Sequence, residues 1–133
     1  MTRASRRARG RALVLVALAS LGAAACDTGP SGPGTITGTV VGDATLGAVV
    51  LEFRGRGVEG FEGLDDTRAY GAAVAGAGDR HRVVLVNPAG GDIRFGMRVQ
   101  DLGMLPPAVV VVAAAGTDDR ARSAGGIEVR LER

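Results

Sequence analysis

The stretch from Asp92 to Gln100 alternates without a break. Ile93, Phe95, Met97 and Val99 fall on one side, and Asp92, Arg94, Arg98 and Gln100 on the other. A period of two with the charges on one side describes a strand with one face in a core and the other in water. Such a strand needs partners, and the rest of the chain offers them. Thr35–Val41 alternates small polar and apolar residues. Leu46–Phe53 is rich in β-branched residues, and Arg80–Val86 reads RHRVVLV. Ile127, Val129 and Leu131 alternate with Glu128, Arg130 and Glu132. Ala108–Ala115, AVVVVAAA, is apolar throughout, which predicts a central strand covered on both faces or one at the junction of two layers. Arg68–Ala75 completes a set of seven, because Gly71, Gly76 and Gly78 interrupt any helical reading there.

Seven short strands with turn residues between them predict an all-β fold: a single seven-stranded antiparallel β-sandwich over residues 35–133. A small β-barrel is the rival. In strand number and spacing the domain resembles immunoglobulin-like and cohesin-like sandwiches, and that resemblance rests on pattern alone. From Arg54 to Asp66, glycine recurs every two or three residues, which predicts a long surface loop. Val58, Phe61 or Leu64 of that loop would tuck over a sheet edge, or serve as a partner contact with Phe61 as its anchor.

The amino terminus carries a different signal. Arg3, Arg6, Arg7, Arg9 and Arg11 precede an apolar run, Ala12–Ala25, of 14 residues. As a helix at about 1.5 Å per residue the run reaches about 21 Å, short of a bilayer core of about 30 Å. It fits the apolar part of an export signal better than a permanent span. Ala23-Ala24-Ala25-Cys26 resembles the lipobox of bacterial lipoproteins. That resemblance implies a helical signal peptide over 1–25 and a cysteine acylated at its sulfur, with fatty acyl groups such as palmitate. The mature chain would then begin at Cys26. The alternative is an ordinary secretory signal cut after Ala23 or Ala25, with Cys26 left free. Cys26 is the chain's one cysteine, so no disulfide within the chain competes for its thiol. Residues 26–34 then form a lipidated cysteine and a Gly/Pro tether, lifting the domain off a membrane in the cell envelope.

Charge narrows the partners. The whole chain has a formal net charge of +2, but five of its 16 basic residues lie before the apolar run. Without those five the +2 becomes −3. The basic footprint that nucleic-acid binding requires is absent from the expected mature domain.

Catalytic and metal-binding patterns are thin. His81 is the one histidine, set in a strand between Arg80 and Arg82 and expected to face solvent. Neither Ser31 nor Ser123 lies in a nucleophile-elbow sequence that would pair with it. Zinc needs several His or Cys ligands, so no metal site is assigned. Asp65-Asp66 and Asp118-Asp119 lack the spaced pattern of a calcium loop, and no Gly-rich phosphate loop is present. The sequence therefore predicts a membrane-anchored, non-enzymatic structural or binding module without a cofactor, contacting another envelope protein. The competing expectation is a carrier of a lipid or small apolar ligand, with a cavity between the sheets.

Overall fold

The computed structural model describes residues 29–133. The expected signal peptide, Cys26 and the first part of the expected tether lie outside the described residues. The domain is all-β, built as two antiparallel sheets. In chain order the strands are β1 (Gly34–Val41), β2 (Leu46–Arg54), β3 (Val58–Leu64), β4 (Arg68–Ala73), β5 (Arg80–Val86), β6 (Ile93–Val99), β7 (Ala108–Gly116), β8 (Ala121–Arg122) and β9 (Glu128–Glu132). One sheet has four strands, ordered β3-β6-β1-β9. The other has five, ordered β4-β5-β2-β7-β8. A short 3-10 turn, Ala124–Gly126, carries the chain from β8 across to β9.

The expected count of seven strands is thus corrected to nine. The two additions are β3 and the two-residue β8. β3 occupies the segment expected to be a loop. It pairs antiparallel with β6, Phe61 opposite Met97 and Gly63 opposite Phe95, with a register shift between Val58 and Gly60. Glycine weakens a strand interior, but at a sheet edge it also lets backbone approach backbone. A side chain at Gly63 would collide with the Thr67 carbonyl, where the chain turns from β3 into β4. The expectation for β7 is also corrected. Its neighbour on one side is only β8, which pairs with Ala114 and Ala115, and Val110 and Val112 are exposed rather than covered.

The core lies between the sheets. Ile36 and Val40 of β1, and Ile93, Phe95, Met97 and Val99 of β6, face Leu46, Val49, Leu51 and Phe53 of β2 and Val83 and Leu85 of β5. The inward set read from β6 is the set that is buried. The three phenylalanines meet at one place. Phe53 lies 5.0 Å from Phe61 and 5.9 Å from Phe95 between ring centroids, the second contact being edge-on. Edge-on and offset rings are the favoured arrangements for aromatic pairs. Gly38 of β1 makes room for this cluster, since a Cβ there would run into the Phe95 ring.

Gly38→Ala therefore overpacks the centre of the core. We expect a loss of about 1–3 kcal/mol in unfolding free energy. Urea denaturation of both proteins measures it, and an unchanged midpoint would show that Phe95 has room to move.

Candidate functional site

Each strand of the five-stranded sheet turns one set of side chains away from the core. Antiparallel register places Tyr70 of β4 opposite Val84 of β5, Val84 opposite Val50 of β2, and Val50 opposite Ala113 of β7. This row crosses four strands and is apolar from end to end. Tyr70 is 62% exposed and Val84 37%. A register shift between Val50 and Leu51 inserts Val112 into β7 as an extra residue. Val112 then joins Val110 and Ala113 on the outer face instead of turning inward. A shallow apolar recess of about 130 Å³ lies over Ala48, Val50, Ala113 and Ala115.

The next row carries charge. Glu52 stands opposite Arg82 and beside Arg54, itself opposite Arg80. Its side chain is only 6% exposed, covered by three guanidinium groups. Arg82 Nη2 donates to one carboxylate oxygen at 2.8 Å, and Arg54 Nε to the other at 2.9 Å. Arg80 Nε lies 3.7 Å from the second oxygen. The hydrogen bond from Arg82, then that from Arg54, holds the Glu52 carboxyl below the usual glutamate range. One carboxylate against three guanidinium groups leaves a positive excess beside the apolar row. Each arginine is 42–58% exposed, so each keeps N–H donors toward water.

The two ends of the domain differ. At one end lie the turns Gly42–Thr45, Asp65–Thr67, Asn87–Asp92 and Thr117–Arg120, which carry Asp43, Asp65, Asp66, Asp92, Asp118 and Asp119. A recess of about 300 Å³ opens there, lined by Asp43, Leu46, Arg122, Ser123, Gly126 and Ile127. At the other end the chain enters from residue 29. Asp101 Oδ1 accepts from Gly32 N at 2.7 Å and from Gly103 N at 2.8 Å, and Leu102 N donates to the Gly32 carbonyl. The backbone N–H of Gly103, then that of Gly32, holds the Asp101 carboxyl below its usual range.

The residues singled out from sequence are dispersed. Val58 is buried in the core, and Phe61 is half-buried against Phe53 and Phe95. Leu64 is half-buried at the end of β3. The three lie on a strand, not a loop, because β6 supplies a pairing edge that glycine spacing does not reveal. His81 faces inward, which corrects its expected exposure. It stands opposite Phe53 in register, its ring 6.5 Å from that of Phe61, and its Nδ1 is buried without a hydrogen-bond partner. Ser123 sits toward the opposite end, its Oγ accepting from Gly125 N. Asp65 pairs with Arg94 at 2.8 Å, and Asp118 with Arg122 at 3.1 Å. Among the described residues, no group of three or more His, Cys, Asp or Glu side chains is placed to hold a metal ion. Among them, too, no helix is long and apolar enough to cross a membrane. Comparison with protein families, curated proteins and solved structures returns no match.

The lowered Glu52 value has a consequence for stability. A carboxyl depressed on folding stabilises the fold fully above its unfolded pKa, near the ordinary 4.5. That contribution is lost as pH falls through the lower folded value. Glu52→Gln removes it at neutral pH and leaves three arginines facing one another. The variant should melt below the wild type at pH 7, and the gap should narrow as pH falls below the ordinary glutamate value. Thermal melts across that range test this, and a gap independent of pH would place the effect in packing instead.

Proposed function

We propose that the chain is a lipid-anchored protein of a bacterial envelope, acylated at Cys26 and working as a non-enzymatic binding module. The contact surface is the outer face of the five-stranded sheet. The observation that carries this reading is the uncharged row Tyr70–Val84–Val50–Ala113, exposed next to the arginines around Glu52. Apolar area with an aromatic residue supplies affinity, and rim charges select the partner. The partner this face fits is a protein presenting an apolar patch bordered by carboxylates. Binding supplies what the outer face lacks, a cover for Val110, Val112 and Val84 and counter-charges for Arg54, Arg80 and Arg82.

This surface replaces the segment 58–64 as the candidate contact. Val58 and Phe61 face the core, so deleting that segment would remove an edge strand rather than a docking loop. The carrier reading is the weaker one. Phe53, Phe95, Leu51, Leu85 and Met97 are fully buried between the sheets and occupy the space an apolar ligand would need.

Two experiments separate the parts of the proposal. Labelled fatty acid should enter the wild type and not Cys26→Ser, and the variant should leave the membrane fraction. Equal incorporation in both would remove the anchor from the proposal. Tyr70→Ser combined with Val84→Ser should weaken recovery of a cross-linked envelope protein, without shifting the melting temperature by more than a few degrees. A central aromatic anchor is typically worth about 2 kcal/mol, roughly thirtyfold in affinity. Undiminished recovery would exclude this face.

A further inference from the structure

The Gln100–Pro107 connection between β6 and β7 ends in an apolar tip. Leu105 is 90% exposed and Met104 41%. A leucine this open stands out among the large apolar residues of the domain: apart from Met104, the other exposed ones, Tyr70, Val84, Val110 and Val112, lie on strands. Pro106 and Pro107 follow it, fixing φ at two successive positions and limiting how far the tip can fold back.

The tip lies beside the point where the amino-terminal segment meets the domain. Asp101 and Leu102 clasp Gly32 from both sides of its peptide units. Two residues further on stands Met104, and its carbonyl accepts from Arg133 Nη2 at 2.8 Å. Met104 Sδ also approaches Gly57, the residue after the exposed Arg56. An apolar tip flanked by Arg56 and Arg133 therefore sits at the root of the tether. Asp79 and Asp101 share this end, whereas six aspartates, of which Asp65 and Asp118 pair with Arg94 and Arg122, lie across the full length of the strands from it.

Distance completes the picture. Gly32 lies only six positions after Cys26, so the extended chain spans about 20 Å at most. A lipid on Cys26 holds the tip within that reach of a bilayer surface.

We propose that Met104 and Leu105 form a second membrane contact, in which Leu105 enters the headgroup–acyl boundary while Arg56 and Arg133 face anionic headgroup phosphates. The occupant of this apolar tip is a lipid surface. The inference rests on acylation at Cys26. The tether length brings the bilayer to this end, and the charge distribution turns the acidic end away from it. Apolar side chains with basic neighbours are the combination that binds a membrane interface, and a second attachment of this kind strengthens a lipid anchor. It also fixes orientation, which a flexible tether alone does not.

The test uses the mature acylated protein purified from membranes. Acylation blocks the Cys26 sulfur, so Leu105→Cys provides the one free thiol for an environment-sensitive fluorophore. Asp66→Cys provides the same probe at the acidic end. Each protein is reconstituted into phosphatidylcholine vesicles with and without phosphatidylglycerol, and brominated lipid is the quencher. Emission from position 105 should shift to shorter wavelength and be quenched severalfold more than emission from position 66. Phosphatidylglycerol should raise the quenching further. Equal quenching at the two positions in protein shown by mass to be acylated would overturn this inference and leave the anchor standing. A purified protein whose mass shows no acyl group at Cys26 would overturn the anchor and this inference with it.

Discussion

The contact of Phe53 with Phe95 and Phe61 joins the two sheets, and the rest of the fold is arranged around it. The chain has one cysteine, so no disulfide ties one sheet to the other. Aromatics are scarce, with three phenylalanines, one tyrosine and no tryptophan. All three phenylalanines are used at the same place, on β2, β3 and β6. Burying one such side chain contributes about 1.5–3 kcal/mol, and a well-oriented aromatic pair about 0.5–1.5 kcal/mol more. Against a net stability of about 5–15 kcal/mol for a domain, this one cluster is a large share. It also explains why Gly38 is glycine: the ring of Phe95 occupies the space where a side chain would stand.

The strands that can be read from sequence are those whose two faces meet different solvents. β6 is the clearest. Its inward residues are fully or nearly fully buried, and Arg94 and Arg98 reach water. β1, β2, β5 and β9 follow the same logic. β3 escapes because its identity depends on a distant neighbour. Gly63 is there because the turn at Thr67 passes too close for a side chain, and in sequence that reads as a loop. The direction of Phe61 depends on the shift between Val58 and Gly60, which only pairing with β6 defines. β7 misleads in the opposite way. A run of valines has the same composition whether or not its outer face is covered, and the extra residue at Val112 disrupts the alternation that would have separated the faces.

The same limit applies to the candidate contact face. Glu52, Arg54, Arg80 and Arg82 are visible as alternating charges on two strands, about thirty positions apart. Only the register of β2 against β5 makes them one cluster, with Glu52 opposite Arg82 and Arg54 opposite Arg80. The cluster has a physical origin. A carboxylate in the interior of a sheet face is desolvated by its neighbours and must be compensated by them. Three partly exposed guanidinium groups do more than that, since a single carboxylate can satisfy only part of their donors. The surplus faces outward, beside the residues that are least satisfied by water.

Tether position and sheet direction together define how such a face would be presented. The strands run between the end where the chain enters and the acidic end, and nine extended residues such as those of β2 span about 30 Å. Under the proposed anchor at Cys26 and the proposed lipid contact at Leu105, the domain would stand with its strands along the membrane normal. The outer face of the five-stranded sheet is then a side wall, aimed laterally rather than away from the cell. A lateral face meets partners held in the same membrane more readily than partners diffusing in the bulk. Confinement to one surface raises their effective concentration, so modest contacts are enough for association. This is consistent with the make-up of the face. One tyrosine, a few half-exposed valines and a rim of arginines suit a reversible neighbour contact better than a permanent interface, which would bury a larger and more apolar area.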